Sequence, residues 1–361
     1  MTTHNNKDPL NKQRFTRRQF IKSTAAGVAG IYLAPSLALV ADAASSGMKS
    51  RVVNISHANM INQDDQIIIR NARQTVDQAL LMLTQKKNIK DAWMQVFPDL
   101  KTKDTIGLKV NGINRKCPTH PQIAYSIANS MIDSLGIDPN NIIIWDRSSS
   151  ELEKAGYTIN ESEKNIRCFG TVDSFSIARW ILTMKQNEDD GIGYDKKIPI
   201  DMGDGQISHL SRILTGMCTY LVNVPVLKDH SEAGVTLSLK NHYGTIDNPR
   251  DYHSNSCDPF IGKIYAAPLI RDKTKLIICD AAFGIYDGGP LGAPQWKYNS
   301  ILASIDPVAL DYTGMQIINA ERKHNDLDPV TKMAIHIQTA QSMGLGTCNP
   351  DNIQVIESVL R

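Results

Sequence analysis

The chain is short of most features that mark a specialised class. Its 39 basic and 37 acidic residues leave a net charge of +2, too even for a nucleic-acid surface, which shows as a clustered basic face with strong excess charge. Aromatic residues are 6% of the chain and charged residues 21%, beside 42% hydrophobic, the balance of an ordinary water-soluble globule. The six cysteines at 117, 168, 218, 257, 279 and 348 stand singly, and without a CxxC pair or a ferredoxin-like run they argue against an iron–sulfur cluster in this chain. Histidines show neither HxH nor HExxH spacing, so no zinc motif is present. Beyond residue 43 no apolar run approaches the roughly 18 residues of a membrane span. Repeats and low-complexity tracts are also missing.

The amino terminus, by contrast, is rich in signal. Thr16-Arg17-Arg18-Gln19-Phe20-Ile21-Lys22 precedes a mildly apolar stretch from Ser23 to Val40 and resembles a twin-arginine export signal. Lys7, Lys12, Arg14 and Lys22 complete a basic n-region, and Ala41-Asp42-Ala43 has the small-x-small pattern of a peptidase site. Gly27, Gly30 and Pro35 interrupt the stretch as a membrane-anchoring helix. The expected partners are the twin-arginine translocation machinery and a signal peptidase. The expected location is the periplasm, with no stable membrane span after cleavage. That route carries folded proteins, often cofactor-loaded, so its use points to a bound metal or organic cofactor. Removing 1–43 takes away six basic and two acidic residues, leaving 33 against 35 over 318 residues. That length suffices for one large α/β domain or two closely packed lobes.

Strand and helix patterns alternate along 44–361. Ala72 to Leu83 reads as a helix, Thr105 to Val110 as a strand, Pro121 to Leu135 as a helix with proline in its first turn, and Asn141 to Trp145 as the next strand. That order is a βαβ unit, so the fold class is α/β with a mostly parallel sheet flanked by helices. Between 151 and 208 the pattern weakens into a solvated loop or small insertion, marked by Asn187, Glu188, Asp189, Asp190, Gly191 and Gly193. Strands at Thr219–Val224 and Lys275–Cys279 follow, with helices near Pro307–Lys323 and Pro329–Ser342. Asp306 before Pro307 has the form of an N-cap. Cys218 and Cys279, in apolar runs, read as buried free thiols. Cys117 reads as an exposed loop cysteine, with no histidine closer than His120 to activate it.

Chemistry concentrates in Leu221–Gly244, LVNVPVLKDHSEAGVTLSLKNHYG, where Lys228, His230, Lys240, Asn241 and His242 surround a short apolar run. Two cations and an imidazole can hold an anionic small molecule and move a proton. Val235, Leu237 and Leu239 alternate with Thr236 and Ser238, the pattern of a half-buried strand that delivers Lys240 to a crevice. Other polar residues close predicted strands: Lys109 and Asn111 the first, Asp146 and Arg147 the second, Asp280 a later one. In open parallel sheets such ends line one crevice. Asp280 leads into a loop containing Asp287-Gly288-Gly289, whose glycines would let amides approach an anion. His242 and His253 read as solvated loop residues, with a metal role for His242 beside Asp280 as the sharper alternative.

With those residues in view, the chain from about 50 to 361 resembles the uncharacterised family called domain of unknown function 362. The matching blocks are Gly107–Asn111, Ile144–Arg147, Val224–His230, Gly234–Asn241 through Gly244, Asp287–Pro290 and Asp306–Asp311. Many relatives carry iron–sulfur modules and this chain carries none. His230, Gly234 and Lys240 are also similar in spacing to lactate racemases that use a nickel-pincer nucleotide. That resemblance implies Lys240 as a covalent cofactor anchor, His230 as an acid/base and Lys228 as the partner of a substrate carboxylate. Asp146 stands where those racemases place a catalytic histidine.

The function expected is that of an exported enzyme of isomerase or hydrolase type acting on a small carboxylate- or phosphate-bearing molecule. His230, Lys228, Lys240 and Asp146 would be catalytic, and Lys240, Asn241, Lys109, Asn111, Asp287, Gly288 and Gly289 would hold a cofactor. The alternative is a periplasmic binding accessory of a redox system, without turnover of its own.

Overall fold

Ile142-Ile143-Ile144-Trp145 is apolar at four successive positions, a run that can be satisfied only where both faces of a strand are covered. All four are buried in the computed structural model, which describes residues 49–162, 164–173 and 191–361. The expected export signal, its cleavage site and residues 187–190 lie outside the described residues.

The chain opens with β1 (Ser50–His57), α1 (Ile69–Thr84), α2 (Ile89–Val96), β2 (Ile106–Lys109) and α3 (Pro121–Leu135). It continues through β3 (Ile142–Ser148), α4 (Ser149–Lys154), β4 (Arg167–Val172) and a hairpin of β5 (Tyr194–Gly203) and β6 (Gln206–Ser211). Next come β7 (Tyr220–Asn223), β8 (Val226–His230), β9 (Gly234–Thr236), α5 (Ser238–Asn241), α6 (Phe260–Ala266) and α7 (Pro268–Lys273). The last elements are β10 (Thr274–Ile285), β11 (Trp296–Ser304), α8 (Pro307–His324), α9 (His336–Ser342) and β12 (Ile353–Leu360).

The main sheet runs β12-β1-β11-β10-β7-β2-β3-β4, with β8 joined to the far half of β10 and β9 joined to β8. Strands β10, β7, β2, β3 and β4 are mutually parallel, β1 pairs parallel with β12, and β11 and β9 run the other way. The sheet is therefore mostly parallel, and helices cover both of its faces. Ile142 and Ile144 meet Leu108, Val222 and the apolar sides of α1, α2 and α3 in one core. Ile143 and Trp145 meet Leu221, Ile261, Leu310 and Ile318 in a second core on the opposite face. The two-residue alternation of strand side chains divides the apolar run between these layers.

Several boundaries differ from the sequence reading. The alternation through Leu239 does not continue as strand: β9 stops at Thr236 and α5 begins at Ser238, because Asp311 captures the amides of Ser238 and Leu239 at 2.7 and 3.1 Å. The strand at Lys275–Cys279 runs on to Ile285 because it gains a second partner in β8. The stretch 151–208 holds α4 and the edge strand β4 as well as part of the β5–β6 hairpin. Cys117 is fully buried and free, and burial pushes its thiol up to about 12, so the exposed-loop reading is corrected. Cys218 and Cys279 are buried free thiols.

Candidate functional site

The site begins with an interruption. Val224-Pro225 separates β7 from β8, and Pro225 has no N–H to give a ladder, yet its carbonyl accepts from Asp280 N at 2.8 Å. Strand β10 pairs first with β7 and then, from Asp280 onward, with β8. Strand β8 therefore extends past the carboxyl edge of the central sheet, carrying Lys228 and His230 on one face and Asp229 on the other. The strand order also reverses beside β2: β3 and β4 lie to one side and β7 to the other. Open α/β sheets form their ligand crevice at such a reversal.

A chain of amides crosses this point. Lys228 Nζ donates to Asn111 Oδ1 at 2.8 Å, and Asn111 Nδ2 donates to Asn241 Oδ1 at 3.0 Å. Asn241 Nδ2 donates to Asn223 Oδ1 at 2.7 Å and to Lys109 O at 3.1 Å. Asn223 Nδ2 ends the chain on Ser238 O at 2.8 Å. Each amide has one orientation that satisfies its neighbours, so Lys228 is held rigidly. Beside it Lys109 Nζ pairs with Asp146 Oδ1 at 2.6 Å, and Gly112 N donates to Asp146 Oδ2 at 2.6 Å. Burial pulls the Lys109 ammonium down and Asp146 opposes that shift. A side chain at Gly244 would collide with both members of this pair, so the backbone can close over it only as glycine.

Lys240 stands on α5. Its Nζ lies 3.1 Å from His253 Nε2 and 3.7 Å from the centroid of the Tyr243 ring. His253 Nδ1 lies 2.8 Å from Pro249 O, which puts the ring proton on Nδ1 and leaves Nε2 to accept from the lysine. His230 Nδ1 accepts from the amides of Glu232 and Ala233 at 3.0 and 3.2 Å, so its proton sits on Nε2. The His230 and His253 rings stack with centroids 5.8 Å apart. Burial and the adjoining lysines push His230 down to about 2, and burial pushes His253 down to about 4. Burial also brings Lys228 and Lys240 down to about 8. At neutral pH the site thus holds neutral imidazoles and predominantly protonated ammoniums. His230 presents an N–H donor there rather than a proton acceptor.

Lys228, His230, Lys240, Asn241, Lys109, Asn111 and Asp146 are therefore brought to one region, and the remaining candidates make contacts of their own. Gly289 N donates to Asp229 Oδ1 at 2.7 Å, which sets the glycine loop against the opposite face of β8. Asp287 pairs with Arg322 at 3.2 Å and is half-exposed, and Gly288 in the same loop has open space about its α-carbon. Asp280 Oδ2 takes His120 Nδ1 at 2.7 Å and His120 N at 2.8 Å, while Oδ1 takes Ala282 N at 3.1 Å. His242 is fully buried, edge-on to Tyr265 at 5.2 Å, contrary to the solvated-loop expectation. Among the described residues no group of three or more His, Cys, Asp or Glu could hold a metal ion. The described residues thus place no third such ligand with Asp280 and His242, and Asp280 has both oxygens committed to His120 and Ala282.

Three further residues escaped the sequence reading. His120, with Asp280 on Nδ1 and no partner on Nε2 among the described residues, forms an oriented dyad. Cys117 O, three residues before it, accepts from Lys228 Nζ at 3.5 Å, which sets this loop beside Lys228. Asp311 positions Lys240 by anchoring α5. His336 lies where the Lys240 ammonium weighs on its ring. The one legible signal was the proximity of His120 to the end of β2; the other two come from segments distant in sequence.

Fold and site together define a three-layer α/β protein with a lysine- and amide-lined centre at the carboxyl edge of a parallel sheet. The chain belongs to the DUF362 family, a domain of unknown function, whose model matches residues 106–316. No curated protein matches the sequence. A crystal structure of a Thermotoga maritima protein is similar at 13% identity over 65% of this chain and 58% of that chain, with a TM-score of 0.30. The matched part thus spans under two thirds of that chain, and a similarity of this size carries no functional argument.

Proposed function

We propose that the chain is an exported enzyme that binds a small carboxylate- or phosphate-bearing molecule at the carboxyl edge of its sheet and isomerises or hydrolyses it. One observation carries this reading: Lys228 and Lys240 are 0% and 5% exposed, and neither has a carboxylate partner among the described residues, whereas Lys109 beside them does. Burying an ammonium without a direct ion pair is costly; carboxylates at longer range, Asp146, Asp229 and Asp280 for Lys228 and Glu232 for Lys240, offset part of that cost, and an anionic ligand removes more of it.

The roles follow from the hydrogen bonds. Lys228, fixed by Asn111, and Lys240, fixed by His253, bind the anionic group. His230 directs Nε2–H at an oxygen on which negative charge grows, the part a neutral imidazole plays in electrostatic stabilisation. His120, oriented through Nδ1 by Asp280, has Nε2 free to take a proton. In isomerisation that proton leaves a carbon next to the acid group and is returned to the product; in hydrolysis it leaves the attacking water as the new bond to oxygen forms, and His120 passes it to the leaving group as the scissile bond breaks. Asp146 neutralises Lys109 and shapes the floor.

Export by the twin-arginine machinery to the periplasm, with trimming near Ala43, is the other half of the proposal and rests on the residues from 16 to 43. Fractionation tests it: Arg17→Lys with Arg18→Lys should leave the protein unprocessed in the cytoplasm, and normal processing of that variant rejects the route. The site is tested by thermal shift with phosphate and with simple carboxylates. The wild type should be stabilised and Lys240→Met should not; equal shifts in both would remove Lys240 from the site.

A further inference from the structure

We propose that Thr236 and His336 touch the ligand of this site, and that the ligand carries hydroxyl groups beside its anionic group. The inference rests on the anion site argued above and narrows what occupies it. Two buried polar groups carry it. Thr236 is 5% exposed and its Oγ1 has no hydrogen-bond partner among the described residues; His336 is 0% exposed and neither ring nitrogen has one. Buried polar groups are almost always paired, and leaving one unpaired costs more than a hydrogen bond contributes.

Both lie around the β8–β9 hairpin. Lys228 and Thr236 are directly opposed in the β8–β9 register, as are His230 and Gly234, so Lys228, His230 and Thr236 share one face. Gly234 has a φ of +74°, and an added Cβ there would stand 2.9 Å from Val330 O and 2.8 Å from Ala334 N. The turn leading to His336 therefore seats directly on this hairpin, and His336 lies within electrostatic reach of both Lys240 and His230.

The chemistry of the two groups sets the ligand class. A threonine hydroxyl offers one donor and two acceptor positions, and a neutral imidazole one donor and one acceptor. Phosphate or carboxylate oxygens can satisfy the donors alone. The acceptors require a donor from the ligand that remains present at neutral pH, and an alcohol hydroxyl supplies donor and acceptor together. Lys228 and Lys240 then take the acid group, while Thr236 and His336 take the hydroxyls.

The test compares matched probes that differ only in hydroxyls: glycerol 1-phosphate against propyl phosphate, and 3,4-dihydroxybutyrate against butyrate, by calorimetry at neutral pH. The wild type should bind the hydroxylated member of at least one pair about tenfold more tightly or better, as a site built to pair hydroxyls does. Thr236→Val and His336→Leu should each erase most of that preference. Both variants should melt at or above the wild-type temperature without ligand, since each removes an unpaired polar group, and His336→Gln should recover part of the preference. Equal affinities within both pairs in the wild type, or a preference unchanged in the two variants, overturns the inference while the anion site stands. Plain acids bound equally by Lys228→Met, Lys240→Met and wild type, or by none of them, overturn the anion site instead. A water molecule satisfying Thr236 and His336 gives the unchanged preference and so counts against the inference.

Discussion

At the scale of single residues the site is governed by burial acting on charge. Lys228 and Lys240 release their protons near 8 when folded, against 10.5 for an ordinary lysine. Between those values the unfolded chain binds protons at these two lysines that the folded chain has lost, so their contribution to stability rises with pH across that window, while the buried thiols of Cys117, Cys168 and Cys218, pushed up to about 12, contribute in the opposite sense above pH 9. Anion affinity falls as the pH rises, because the ammoniums that attract the anion disappear. Urea melts and phosphate titrations of wild type and Lys240→Met from pH 7 to 10.5 should show the lysine's part as a difference between the two proteins: the stability difference shifts in favour of the wild type as pH rises, and its advantage in phosphate affinity shrinks. His230, His242, His253 and His336 are held near 2, 3, 4 and 3 against 6.5. The unfolded chain takes up protons below 6.5 and the folded chain does not, so stability falls as the pH drops from there.

The Lys109–Asp146 pair is the opposite case, a buried cation with its counter-charge 2.6 Å away. Asp146→Asn leaves the ammonium uncompensated and should cost about 3–5 kcal/mol, read by chemical denaturation. Reactivity among the thiols follows exposure: under native conditions iodoacetamide should label Cys348 first and leave Cys117 intact, with peptide mass spectrometry as the check.

At the scale of elements, proline at a strand break and aspartate at helix starts do most of the positioning. Asp306 accepts from Val308 N and Ala309 N, both at 2.9 Å, and from Ser50 Oγ at 2.6 Å. Asp306→Ala should therefore cost about 0.5–2 kcal/mol as a lost cap, measurable by thermal melting. The capping aspartate was readable because Asp-Pro before an apolar period is a local pattern. So was the α3 helix, which runs from Pro121 to Leu135 as its proline start and apolar spacing indicate. The end of β9 was not readable, because the carboxylate of Asp311 that turns Ser238 into a helix start arrives from a residue 73 positions away. Strand β10 was read too short for a similar reason: its length is decided by a second partner, β8, rather than by its own composition.

At the scale of the whole molecule, alternating strand and helix patterns were enough to give a mostly parallel sheet with helices on both faces. They also gave the region of the site, since charged residues at strand ends converge in this architecture. Lys109, Asn111, Asp146, Lys228 and Lys240 were legible on that ground. The partners that give them their character were not. His253 and His120 come from loops whose course no periodicity encodes, and the glycine loop from Asp287 to Gly289 bonds to Asp229 on the far side of β8. A strand-end motif shows that a residue reaches the edge of the sheet, but not which face of the strand it then meets. That ambiguity explains why the sequence places the glycine loop at the crevice without its bond to Asp229 and does not connect His120 with Asp280.

The anion site can be challenged most directly by calorimetric titration of inorganic phosphate into wild type, Lys228→Met and Lys240→Met at neutral pH. Saturable binding by the wild type, weakened about tenfold or more in each variant while the fold is kept, is the outcome that the two buried ammoniums require. Equal binding by all three proteins, or no binding of phosphate or a simple carboxylate by the wild type, would contradict it.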